Sequence, residues 1–223
     1  MALYDQKKLL RCAIERFAFP PEYFDFVRGA PDCQEDTKAV ETRIQADLKV
    51  DDPGRVKNGL SNVLYWGYAR MGIRDVRVKR FREKVTEAQL RNASKLFQRR
   101  VAPSVLEIKK LALPEFSGLS FVSKVRMFLD PANSATLDWQ IMKMHECCPE
   151  TVLAGFRIYK TSTQIPITKE NDRAYERWCD RMKEISKWYF DGRFRAVDIE
   201  RGFFQLVQCG KVLLAALSNR EHG

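Results

Sequence analysis

The chain is short of the side chains that most often do chemistry. Only two histidines occur, His145 and His222, so a histidine acid–base pair or a zinc site has almost no raw material. Six cysteines (Cys12, Cys33, Cys147, Cys148, Cys179 and Cys209) are scattered, with no C-x-x-C. His145, Cys147 and Cys148 cluster on one short segment without a second ligand pair. The expectation there is reduced, buried thiols near a helix end and no metal. No G-x-x-x-x-G-K-[ST], no G-x-G-x-x-G after a strand and no G-x-S-x-G is present, which disfavours phosphoryl transfer, dinucleotide chemistry and a serine hydrolase. What remains is carboxylate or lysine chemistry. Composition alone singles out none of the many carboxylates and lysines, and no cofactor is expected. By itself Asp138 reads more readily as a helix N-cap with Trp139 buried below it than as a catalyst, and Lys124 as a phosphate-binding or solvated lysine.

Charge narrows the partner. The 223 residues carry 39 Lys+Arg against 29 Asp+Glu, a formal net charge of +10. Between Arg70 and Lys110 lie 13 basic residues and four acids, so nine of the ten net charges fall in this stretch. A one-signed block attracts polyanions, whereas a solvated face normally mixes signs. Nucleic acid is the expected partner, with phosphate contacts dominating affinity. No apolar run approaches the ~18–20 residues of a membrane span, and the N-terminal residues lack signal-peptide organisation. The expectation is a soluble, cytoplasmic monomer.

The elements that must position these residues read as helix after helix. Apolar spacing predicts helices over 4–16, 35–49 and 54–70, and Thr86 starts another with capping-box chemistry completed by Gln89. Arg91, Lys95 and Arg99 share the basic face of that helix. Three short helices follow over 103–111, 119–129 and 138–147, broken by Pro114, Gly118, Pro131 and Pro149. The segment from Phe156 to Ile167 suggests a loop or short hairpin, and 169–190 and 196–217 are long and strongly helical. No alternating region is large enough for a sheet. The class is all-α, with residues 1–223 forming one domain of two lobes.

Three stretches carry a resemblance. Residues 114–141 hold Phe116-Ser-Gly118-Leu-Ser120, an apolar helical run over Val122 to Leu129, then Thr136-Leu137-Asp138-Trp139-Gln140-Ile141. The others are Val63-Leu-Tyr-Trp66-Gly-Tyr68 and Arg195-Ala-Val-Asp198-Ile-Glu200-Arg-Gly-Phe-Phe. Together they resemble the helix-hairpin-helix DNA glycosylase superfamily, in particular a bacterial branch related to 8-oxoguanine DNA glycosylases. The resemblance implies a two-lobed helical fold, a helix-hairpin-helix over about 107–130, and a catalytic-aspartate loop over 131–141.

It also implies roles. Gly118, Ser120, Ser123 and Lys124 would hold double-stranded DNA at the hairpin, together with Arg91, Lys95 and Arg99. Glycine at such a turn lets backbone N–H groups approach a phosphate, and the following helix N-terminus adds its partial positive charge. Trp66, Tyr68, Trp139 and Gln140 would line the pocket for a flipped base, while the aromatic run of Trp66 and Tyr68 reads equally as core. Asp138 would stabilise an oxocarbenium-like sugar and orient water as the N-glycosidic bond breaks. The branch includes an anti-phage enzyme that removes glucosylated hydroxymethylcytosine, so viral DNA is one implied substrate. An oxidised purine, as in 8-oxoguanine repair, is another.

The sequence departs from the family in two places. Ser120 replaces the second hairpin glycine. The Schiff-base lysine position of the superfamily, two residues later, is Val122, and Lys124 lies a further ~200° around a helix. Hydrolysis by water, leaving an intact abasic site, is therefore the expected chemistry. Asp198 and Glu200 are read as capping or pairing groups near Arg195 and Arg201. The competing expectations are a non-catalytic DNA-binding module of the same fold, or an interaction protein using its basic helices.

Overall fold

A computed structural model describes residues 3–147, 150–158 and 164–210. Ten α-helices run along these residues: α1 (Leu3–Glu15), α2 (Thr37–Leu48), α3 (Pro53–Gly67), α4 (Arg74–Lys84), α5 (Glu87–Phe97), α6 (Val105–Lys110), α7 (Leu119–Leu129), α8 (Trp139–Cys147), α9 (Lys169–Phe190) and α10 (Ala196–Gln208). The all-α expectation holds with one correction. Strands β1 (Glu22–Asp25) and β2 (Ala30–Cys33) pair antiparallel in a small hairpin, with Tyr23 opposite Asp32. A further helix, α4, separates the predicted 54–70 and Thr86 helices. The tail of the predicted 196–217 helix beyond residue 210 lies outside the described residues. A 3-10 turn covers Val152–Gly155, and of the predicted loop or short hairpin over 156–167 the described residues form loop, with no strand.

The chain divides into two compact units, Met1–Ala18 with Pro131–Gly223, and Phe19–Asp130. In the continuous unit α3 is the central helix. Asp52 caps it by accepting from the N–H groups of Gly54 and Arg55, and Pro53 occupies its first turn, where a missing N–H costs nothing. Val56, Leu60, Val63 and Leu64 are fully buried, and α2, α4, α5 and α7 all pack against this helix. The β-hairpin is tied to the same helix by Asn62, whose side chain accepts from Phe24 N at 2.7 Å and donates to Phe24 O at 3.1 Å. Those two bonds satisfy edge groups that a two-stranded sheet leaves open.

In the discontinuous unit α9 supplies the core. Tyr175, Trp178, Met182 and Ile185 fall on one stripe and are fully buried. α1, from the start of the chain, packs on α10 near its end. Gly202 permits that approach, because a β-carbon there would stand 2.7 Å from both Ile14 Cγ1 and Leu10 Cδ1. α10 begins with a charged cap: Asp198 accepts from the Arg195 backbone N–H at 3.0 Å and receives two guanidinium bonds at 2.9 and 2.7 Å.

Candidate nucleic-acid interface

A capped helix, a braced turn and a second helix form the segment that resembles a helix-hairpin-helix. Ser104 and Glu107 close a capping box at the start of α6. The turn from 111 to 118 then places two non-glycine residues in the left-handed region, Ala112 at φ 49° and Glu115 at φ 68°. Such a backbone persists only where its surroundings hold it. The Glu115 carboxylate is nearly buried, and it receives Arg77 at 2.8 Å and Arg80 at 3.5 Å from α4. Gln89 of α5 donates to the Ala112 carbonyl at 2.6 Å. Two members of the basic block therefore shape the turn.

The start of α7 falls where the apolar spacing predicts it and corrects the turn that the resemblance implies. The helix begins at Leu119, so Ser120 lies in its first turn rather than in the hairpin, and Gly118 is the N-cap. Gly118 has φ −105°, an ordinary value, so the left-handed positions are Ala112 and Glu115 instead. Ser123 is fully buried and donates to the Ser120 carbonyl at 3.2 Å. This corrects its expected role, since a side chain in the core reaches no phosphate. Lys124 is only 8% exposed; its ammonium donates to the same Ser120 carbonyl at 3.1 Å and lies 5.1 Å from the Phe121 ring centroid. Val122, at the Schiff-base position implied by the resemblance, is fully buried and offers no amine.

The loop before α8 is held from α9. Tyr175 donates to the Ala135 carbonyl at 2.7 Å and Trp178 to the Thr136 carbonyl at 2.9 Å, both from within the core. Ser134 to Leu137 are buried, and Asp138 emerges half-buried at the end of this anchored stretch. Its Oδ1 accepts from Gln140 N at 2.9 Å and Ile141 N at 3.2 Å, which makes it the N-cap of α8. Trp139 is not buried below it, as the capping reading expected, but 37% exposed. Gln140 accepts from Lys143 at 2.9 Å. Asp138, Trp139 and Gln140 thus share the start of one helix, whose partial positive charge favours an anion. Tyr175 and Trp178 have no place in the predicted site. Their only sequence signal is an i, i+3 spacing indistinguishable from core packing.

The other predicted residues divide. Trp66 belongs to the core of the continuous unit, 4.5 Å from the Phe19 ring and 5.3 Å from Phe128. That placement fits the core reading of Trp66 rather than stacking on a base. Tyr68 is half-buried with its ring 4.4 Å from Phe121. Burial pushes its hydroxyl above the ordinary range, with Arg77 opposing. The basic block is less one-signed in space than in sequence. Arg91 pairs with Glu87 at 3.2 Å and Arg99 with Glu107 at 2.8 Å, while Arg74 reaches Glu22 at 2.7 Å. What survives is a groove of about 300 Å³ between α5 and α6, with Lys95 and Lys110 on its wall beside the paired Arg99 and Glu107. Lys95 and Lys110 make no ion pair among the described residues, though the Lys110 charge helps hold Glu107 ionised.

The His145, Cys147 and Cys148 cluster lies partly outside the described residues, as does His222. Among the described residues no group of His, Cys, Asp and Glu could hold a metal, and no helix is long and apolar enough to cross a membrane. No protein-family model matches the chain, and no curated protein or solved structure matches it at a significant level.

Proposed function

We propose that the protein is a DNA glycosylase that hydrolyses the N-glycosidic bond of a modified base and leaves an abasic site. One observation carries the reading: α6, a braced turn and α7 are followed at once by an anchored loop that delivers Asp138 to the N-terminus of α8. A carboxylate held by a rigid loop is preorganised to face a developing positive charge, which is where electrostatic catalysis gains most. In this reading Asp138 stabilises the oxocarbenium-like sugar and orients water. Exposed Trp139 stacks on the extruded base. Lys95, Arg99 and Lys110 take phosphates. Glucosylated hydroxymethylcytosine in phage DNA and 8-oxoguanine are the two substrates to test.

Purified protein incubated with duplexes carrying either base, then treated with alkali, should give strand breaks at the modified position only. Absence of base release from both substrates, with duplex binding retained, would support a second reading: a DNA-binding module without excision. The capping bonds favour this alternative in one respect, because they give Asp138 a structural reason to be where it is.

A further inference from the structure

The β-hairpin, α3 and α4 of the continuous unit line an open cleft of about 640 Å³, within the ~300–1,000 Å³ range of small-molecule sites. Its apolar wall is aromatic. The Phe24 ring centroid lies 4.8 Å from that of Phe26 and 5.2 Å from that of Tyr65, with Val78 beside them. Lys57, Arg74, Lys79 and Arg82 also line it, against the two acids Asp75 and Glu83. Two of these cations are already neutralised. Arg74 pairs with Glu22 at 2.7 Å and Asp75 at 3.7 Å, and Lys79 with Glu83 at 3.8 Å.

Arg82 is different. Its guanidinium lies 4.0 Å over the Phe26 ring, and Nη1 donates to neutral acceptors, Asn58 Oδ1 at 3.0 Å and Ser61 Oγ at 3.1 Å. Among the described residues no carboxylate reaches it, and burial pulls its pKa below the ordinary arginine value. Lys57, one turn before Ser61 on α3, also has no acid partner. A half-buried guanidinium without a counter-ion is costly unless something supplies the anion. Its planar fork matches phosphate oxygens in pairs.

We infer that this cleft binds a nucleotide, with the base against Phe24 and Phe26 and the phosphate on Arg82 and Lys57. Aromatic faces accept any base by stacking, and the two unpaired cations supply the charge that a nucleoside alone would not use. The ligand is either a free mononucleotide or one unit of single-stranded DNA. Nothing in the inference rests on base excision, since neither Asp138 nor α8 lines the cleft.

Calorimetric titration of the full chain with dAMP, deoxyadenosine and an oligodeoxyadenylate tests it. dAMP should bind about tenfold or more tightly than deoxyadenosine, and Arg82→Met should remove that advantage, as expected for a charge-assisted phosphate contact. An oligonucleotide that binds more tightly than dAMP and is also lost in Arg82→Met identifies strand binding; equal affinities identify the free nucleotide. Lys57→Ala, on a half-exposed residue, keeps the test decisive if Arg82→Met does not fold. No heat with either phosphate ligand, or binding unchanged in both variants, overturns the inference. Asp138→Asn should leave every one of these titrations intact, which separates this site from the excision reading.

Discussion

Gly67 ends α3 against the ring of Phe121 on α7, and a β-carbon at position 67 would stand 2.6 Å from Phe121 Cε1. The ring has little room to retreat, because Tyr68 packs 4.4 Å from it and Phe116 meets it edge-on at 6.4 Å. Gly67 therefore sets how closely α7 approaches α3, and with it the position of Lys124, whose Cδ would lie 3.2 Å from the same added atom. Gly67→Ala should cost about 1–3 kcal/mol by overpacking. Urea unfolding would show a lower midpoint at unchanged slope. An unchanged midpoint would mean that Phe121 rotates aside freely.

Asp138 permits a clean separation of cap from catalyst. Asparagine caps a helix about as well as aspartate, whereas alanine costs about 1 kcal/mol. Asp138→Asn should therefore melt within a degree or two of wild type yet release no base, and Asp138→Ala should be both less stable and inactive. Full excision by Asp138→Asn would move the chemistry to another residue.

Lys124 tests the mechanism class. With its ammonium on the Ser120 carbonyl and its stem buried beside Phe121, it is not presented as a nucleophile. Borohydride added during turnover should trap no protein–DNA crosslink, and Lys124→Met, which keeps the apolar stem, should retain the single-turnover rate. A crosslink that disappears in Lys124→Met would establish imine chemistry and a lyase step.

Helices with a periodic buried face were legible. α7 matches its predicted 119–129 and α9 its predicted 169–190, each with a clear apolar stripe. α4 was not legible, because only Val78 and Phe81 of its eleven residues are buried and its other side chains are mostly charged. The β-hairpin escaped for a different reason. Its strands are four residues long, and what stabilises it is distant in sequence: Tyr23 bonded to Asp47, and Asn62 bonded to both sides of Phe24. The site shows the same limit. Asp138 stood out by its motif, but Tyr175 and Trp178, which anchor its loop, look like ordinary core residues until the fold brings them to Ala135 and Thr136.

Charge reversal on α5 and α6 should act on affinity without specificity. Lys95→Glu with Lys110→Glu removes the two groove cations that make no ion pair among the described residues. Binding to every duplex should weaken alike, and the slope of log K against log salt should flatten by about one to two counterions. Arg91→Glu alone should do less, because Arg91 already pairs with Glu87. An unchanged slope in the double variant would put DNA on another face.

Arg195 and Asp198 give the fold an acid-sensitive joint. Burial by itself would raise the Asp198 carboxyl, but the Arg195 side-chain bonds and charge, the Arg195 backbone N–H and the charge of Arg201 outweigh it and hold the group below the usual carboxylate range. Glu107 is depressed in the same way, first by the Ser104 backbone N–H, then by Arg99 against the opposing pull of burial. A carboxylate with a lower pKa in the folded than in the unfolded chain binds fewer protons when folded. Its stabilisation is then complete above the unfolded value, ~3.9 for Asp, and is lost as pH falls through the folded value. Arg195→Met should therefore cost stability by a constant amount from about pH 5 to 8, and that cost should shrink below about pH 4, as Asp198 protonates in wild type as well. Denaturant midpoints of the two proteins across this range measure the difference directly. A gap that stays constant down to the lowest pH at which both fold would mean that Arg195 contributes through packing alone.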